Sequence, residues 1–192
     1  MATLSTNNID YLDNCNEREL IVEAYDAIMD HGKDNKLIKI CQLLPDGPLH
    51  KITMHGSTIL HKAAYSKQKK LVSELLDMVF SNKKYQDLIT RRDEKACATF
   101  LHEMATSDEM VDAAQRVLAR EPTMQYELNE RGETPLFRSA CYGKKDMFHF
   151  LHEEMKKDLG NVEQLKEFFK RPRDGSTILH MTVIAEHFGN NI

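Results

Sequence analysis

Nine histidines and four cysteines are the residues in this chain most capable of chemistry. His149 and His152, followed by Glu153, stand at i and i+3, the spacing that would put two imidazoles one helical turn apart. No third ligand is fixed by spacing, so the pair reads as two solvent-facing positions on an outer helix. Cys15, Cys41, Cys97 and Cys141 are widely spread and form no Cys-x-x-Cys pair. With no secretory signal ahead of them they read as reduced intracellular thiols. Glu153-Glu154 and Asp93-Glu94 are adjacent, so their side chains diverge and make no acid/base pair. Glycine-rich phosphate loop, nucleophile elbow and His-Glu-x-x-His are all missing. The sequence therefore predicts no catalytic residue, no metal and no cofactor.

Three of the histidines belong to a repeated word. Gly56-Ser57-Thr58-Ile59-Leu60-His61 recurs letter for letter as Gly175-Ser176-Thr177-Ile178-Leu179-His180. Between them, Cys97-Ala98-Thr99-Phe100-Leu101-His102 keeps Thr-x-Leu-His, and Gly132-Glu133-Thr134-Pro135-Leu136-Phe137 keeps Gly-x-Thr-Pro-Leu. Three copies continue into an apolar-periodic stretch: Leu71, Val72, Leu75 and Leu76; Val111, Ala114, Val117 and Leu118; Met147, Phe148, Phe150 and Leu151. Each copy predicts a short inner helix, a turn and an amphipathic outer helix.

This pattern resembles the ankyrin repeat, with its Thr-Pro-Leu-His-x-Ala signature, from about Arg18 to the end. The threonines at 58, 99, 134 and 177 are further apart than the roughly 33 residues of the bare repeat, which puts the surplus in loops. Asn129–Phe137 together with Asp174–Met181 is similar to the plant ankyrin proteins whose repeats precede a C-terminal multi-helix membrane region, the PGG-domain type. The resemblance implies an all-α solenoid with short β-hairpin fingers. It also implies that Thr58 with His61, Thr99 with His102 and Thr177 with His180 tie finger to inner helix. Thr134 and Pro135 hold the same positions in the third copy, where Phe137 loses the bond and gains apolar packing.

The implied function is a non-catalytic protein-interaction module of plant signalling or defence, cytoplasmic, and at the cytosolic face of the plasma membrane if a membrane region follows. Carried over position by position, the concave face comprises Lys62, Tyr65, Ser66, Glu103, Thr106, Ser107, Arg138, Cys141, Tyr142, Met181 and Ile184. His55, Lys95, Arg131 and Glu133 would be finger tips. Tyr65, Arg138 and Tyr142 are the expected anchors, since aromatics and Arg dominate interface energetics.

Along the chain, residues 1–17 read as a polar, disordered or extended lead. Residues 18–45 carry two apolar-periodic helices, broken at His31-Gly32, that would form a degenerate N-terminal cap, since a stack needs a polar end. Repeats are expected near 54–90, 93–122 and 129–158, with a half-repeat over 174–192. Ser107 or Asp108 is expected to cap the second outer helix. The second finger, with no glycine before Thr99 and Phe100 in place of proline, is expected to be less tightly turned. Extra helical pieces are predicted around Tyr85–Ile89 and Val162–Phe169. The half-repeat would leave Ile178, Val183, Ile184 and Phe188 uncovered, a face open to further repeats or self-association.

Composition is ordinary for a soluble protein: 192 residues, 41 % hydrophobic, 29 % charged. The net charge of −4 gives no general pull toward nucleic acid. No apolar run approaches the length of a membrane span. Two rivals stay open: an accessory domain of an enzyme whose catalytic part lies elsewhere, and an anionic-lipid surface made of basic doublets such as Lys69-Lys70 and Lys144-Lys145.

Overall fold

The computed structural model describes residues 7–30, 32–181 and 183. The described chain is predominantly helical, and no helix in it is long and apolar enough to cross a membrane. Helices α1 (Asn7–Met29) and α2 (Asp34–Leu43) form an antiparallel pair. They pack through Ala24, Ala27 and Ile28 of the first and Leu37, Ile40 and Cys41 of the second. The first helix starts at Asn7, not Arg18, so the lead expected to be disordered or extended is helical from Asn7 onward.

Three helix pairs follow: α3 (Ile59–Tyr65) with α4 (Lys69–Ser81), α6 (Phe100–Met104) with α7 (Val111–Leu118), and α8 (Pro135–Cys141) with α9 (Lys145–Leu159). The short helices α3, α6 and α8 lie in one row, each touching the next. The long helices α4, α7 and α9 form a second row behind them. Isolated helices of five to seven residues are unstable in water. These three persist because Leu60, Ala63, Leu101, Met104 and Leu136 are buried between the rows.

Their first turns are fixed by threonine. Thr58 and Thr134 sit at the N-cap and accept the amides of His61 and Phe137 at 3.3 and 3.1 Å. Pro135 occupies the first turn, where a missing N–H is harmless. The second outer helix departs from expectation. It begins as a 3₁₀ turn over Asp108–Met110, and neither Ser107 nor Asp108 caps it. Asp108 instead accepts the Met147 amide at 3.0 Å and so holds the first turn of α9.

The segments between pairs are not β-hairpins. Among the described residues they carry single antiparallel bridges, Lys51 to Thr58, Arg92 to Thr99 and Lys170 to Thr177, with no strand ladder. They are closed instead by a left-handed residue two positions before each threonine. Gly56, Gly132 and Gly175 take φ of 76°, 73° and 72°, and Cys97 takes φ 48° in the same place. The second loop is thus turned like the others: Asp93 N–H donates to Ala98 O at 2.8 Å, just as Ile52 N–H donates to Ser57 O at 2.9 Å. The missing glycine is replaced by strain at Cys97, not by a looser turn.

Both insertions fold back on the stack. Helix α5 (Lys83–Gln86) covers the loop at Asp46–Leu49. Arg91 binds Asp46 at 2.6 Å there, and the Tyr85 ring lies over Gly47. Helix α10 (Val162–Glu167) packs on α9 with Leu165 buried. His152, expected in solvent, is half-buried and stacked between Phe148 and Phe169, with ring centroids 6.1 and 5.9 Å away. At the far end the chain enters a further helical turn at Ile178–Met181. There Leu179 and Val183 are exposed and Ile178 is half-buried; Ile184 and Phe188, and the rest of the expected half-repeat, lie outside the described residues.

Candidate functional site

The motif histidines are structural, and they reach further than their own units. His61 Nδ1 faces the Thr58 amide at 3.3 Å and hydroxyl at 2.7 Å, and its Nε2 meets Ala98 O at 3.1 Å. His102 repeats this with the Thr99 amide (3.1 Å), the Thr99 hydroxyl (3.0 Å) and Glu133 O (3.0 Å). A carbonyl can only accept, so Nε2 carries the proton and Nδ1 presents a lone pair to the threonine. Burial holds both rings neutral, with pKa values lowered to about 4 for His61 and about 3 for His102. His180 keeps the local bond to the Thr177 amide at 3.2 Å on an exposed position. Phe137 is buried where the third histidine would be, with the Arg171 guanidinium 5.8 Å from its ring centre.

Short helices and loops together enclose a groove of about 400 Å³. Its walls include Lys62, Arg138 and Tyr142 from the inner row, and Thr53, His55, Asp93, Lys95, Asn129 and Arg131 from the loops. The loops hold their shape through side chains that mimic backbone. Asp93 accepts the Lys95 and Ala96 amides at 2.9 and 2.8 Å, and Asn129 accepts those of Arg131 and Glu133 at 2.9 and 3.0 Å. Neighbouring loops are joined directly, Glu94 N–H to His55 O at 2.6 Å and Glu130 N–H to Ala96 O at 2.7 Å. A second hollow of about 300 Å³ adjoins at Lys62, bounded by Tyr25, Ile28, Met29, Tyr65 and Ser66.

Of the residues expected on the concave face, Lys62, Tyr65, Ser66, Arg138 and Tyr142 line these two hollows, and Arg131 stands exposed at the rim. Tyr65 and Tyr142 are 63 % and 50 % exposed, each beneath a cation of its own helix: Lys62 at 5.6 Å and Arg138 at 5.3 Å. Glu103 is half-buried behind them and its pKa is raised by burial. It contacts Arg138 at 3.4 Å, while the buried Glu133 contacts the same guanidinium at 3.8 Å. Arg138 is therefore the floor of the groove, much of its charge already engaged.

Five residues are placed differently. Thr106 and Ser107 are buried, and the Thr106 hydroxyl closes α6 on Glu103 O at 2.8 Å, so neither offers a contact surface. Glu133 is no finger tip; it is 3 % exposed and bound by Asn129 Nδ2 at 2.9 Å. Cys141 is half-buried and its thiol is pushed up to about 11, chiefly by burial, which leaves it an inert packing group. Met181 is half-buried beyond the groove, on the last helical turn.

Tyr25 and Met29 escaped the sequence reading because it placed α1 wholly in the cap. Tyr25 is exposed although it falls on the apolar period of that helix, and Met29 is 54 % exposed at its end. Among the described residues no group of three or more His, Cys, Asp or Glu side chains is placed to hold a metal ion. No protein-family model matches the chain, and no curated protein does.

Proposed function

We propose that the chain is an ankyrin-repeat stack acting as a non-catalytic protein-interaction module, its partner seated along the inner helices and loop tips. The observation that carries this reading is the chain of links from one unit to the next: His61 and His102 each bond the carbonyl just before the following unit's threonine. Such a link needs successive units in the same orientation at a fixed offset, which is how a solenoid is built. Loops braced in this way leave a rigid, concave, partly aromatic surface, the kind that binds without reordering. By the same resemblance, the module would serve signalling or defence in a plant cell, recruiting a protein rather than transforming a substrate.

The test is affinity capture with the intact chain, a Lys62→Glu/Tyr65→Ala/Tyr142→Ala variant, and Lys145→Ala as an outer-face control. Arg138 is left in place, because removing it would strand the half-buried Glu103 without its cation and take one of two from Glu133. A partner lost with the triple variant and kept by the control supports the module. A partner kept by the triple variant, or turnover of a small molecule by this chain alone, overturns it.

A further inference from the structure

We propose that the groove takes an extended acidic segment of the partner protein, with carboxylates over Lys62, Lys95 and Arg131 and an apolar side chain in the Tyr25–Met29–Tyr65 hollow. The inference rests on the reading of the chain as a protein-binding module and adds the chemistry of what it binds.

The groove's charge is opposite in sign to that of the chain. Besides Arg138, whose charge Glu103 and Glu133 engage, three cations line it, Lys62, Lys95 and Arg131, against two carboxylates, Asp93 and Glu130, in a protein of net charge −4. Asp93 is occupied by the Ser57 hydroxyl and two loop amides. Lys62, Lys95 and Arg131, in contrast, form no close ion pair among the described residues, Lys62 acting on Glu103 only through its charge at longer range. Cations of like sign held around a concavity focus their field into it, and a carboxylate entering there relieves their mutual repulsion. On the floor, Arg138 Nε is buried with no hydrogen-bond partner, and the bonds that Arg138 makes to Glu103 are long, 3.4 and 3.5 Å.

Lys62 belongs to both hollows, so the basic end runs straight into the tyrosine–methionine end. There Met29 and Tyr65 expose more than half their surface, in a wall whose only cation among the described residues is Lys62. Rigid tyrosine rings beside a flexible methionine suit one inserted aliphatic or aromatic side chain. Two other polyanions fit less well. A nucleic-acid backbone, charged at every residue, would meet Asp93 and Glu130 between the cations, whereas an extended peptide can place its acids only where the cations are. A flat lipid leaflet cannot enter a concave groove.

The experiment selects from a displayed library of random 12-residue peptides on the full chain. Selected sequences are then measured as fluorescein-labelled synthetic peptides by anisotropy. The expected result is a consensus enriched in Asp and Glu with one bulky apolar residue at fixed spacing. Lys95→Glu/Arg131→Glu should weaken it by at least about tenfold, and Tyr65→Ala by several fold. Lys95 and Arg131 are exposed and free of acidic partners, so these changes leave the fold intact, which circular dichroism checks.

A selection that yields no peptides or peptides without acid enrichment, equal affinity for the double reversal, or displacement of the peptide by a single-stranded oligonucleotide would each overturn the inference. If the captured partner still depends on Lys62, Tyr65 and Tyr142, the interaction module survives and only the acidic segment fails. If it does not, both fail.

Discussion

His102 and Glu133, 31 residues apart in sequence, are joined by a 3.0 Å hydrogen bond from the ring Nε2 to the main-chain oxygen. The same bond joins His61 to Ala98 at 3.1 Å. Both rings are almost wholly buried, so each bond is made away from water, where leaving it unmade is expensive. A side chain near the start of one short helix therefore fixes where the next must begin. His61→Phe or His102→Phe should fill the space yet leave the threonine amide without its acceptor and the carbonyl short of a donor. Each is expected to cost about 2–4 kcal/mol in urea unfolding, with circular dichroism unchanged at low urea.

The same two rings predict an acid limit. Folded His61 and His102 have pKa values depressed to about 4 and about 3, while in the unfolded chain each titrates near its ordinary 6.5. Below pH 6.5 the unfolded state takes up protons that the folded state refuses. The contribution is therefore complete above pH 6.5 and is lost as the pH falls toward the folded values. Each ring should contribute a slope of about 1.4 kcal/mol per pH unit in that window. Glu103, whose pKa burial raises, acts with the opposite sign, so the informative quantity is the difference between proteins. Unfolding free energies of wild type and His102→Phe at pH 7.5, 6 and 5 should converge as the pH falls.

Elements whose signal was periodic and local could be read from the sequence: the two helices of the cap, the outer helices, and the insert helices around Tyr85 and Leu165. The identity of residues 56–61 with residues 175–180 likewise marked the threonine caps. What stayed hidden depended on neighbours distant in the chain. Asp108 lies at the start of its own helix segment, yet it serves Met147. Glu133 looked like a loop tip but sits between Arg138 and Arg171, and only the folded chain brings those cations to it. The hairpins failed because each loop is closed by one left-handed residue and an Asp, Asn or Thr side chain, which satisfies the amides that a ladder would otherwise pair.

Cys97 shows that conformation outlasting its usual residue. It holds φ 48° where the other three loops use glycine, and it is exposed, so its side chain contributes little there. Left-handed backbone costs a non-glycine residue about 1–2 kcal/mol, and glycine gives back about 0.5–1 kcal/mol through its freer unfolded chain. Cys97→Gly should therefore stabilise the protein by about 0.5–1 kcal/mol and raise the melting temperature by a few degrees. An unchanged or lowered melting temperature would show that the thiol holds the loop in some other way.

Gly47 makes the reverse case, a glycine required twice over. Its φ is 54°, and a Cβ added there would stand 2.6 Å from Cζ of Tyr85, the residue through which α5 sits on the first loop. Backbone strain alone predicts a loss of about 1–2 kcal/mol for Gly47→Ala. Displacing the tyrosine ring should add to it, because Tyr85 packs on the core and its shift would disturb the seat that Arg91 and Asp46 also hold. The two parts separate in a double-mutant cycle. In a Tyr85→Ala background the three ring atoms nearest the added methyl are gone, so mainly the backbone part should remain. A coupling of at least about 0.5 kcal/mol between the two sites in urea unfolding is expected. Strict additivity would mean that α5 rests on that loop without gripping it.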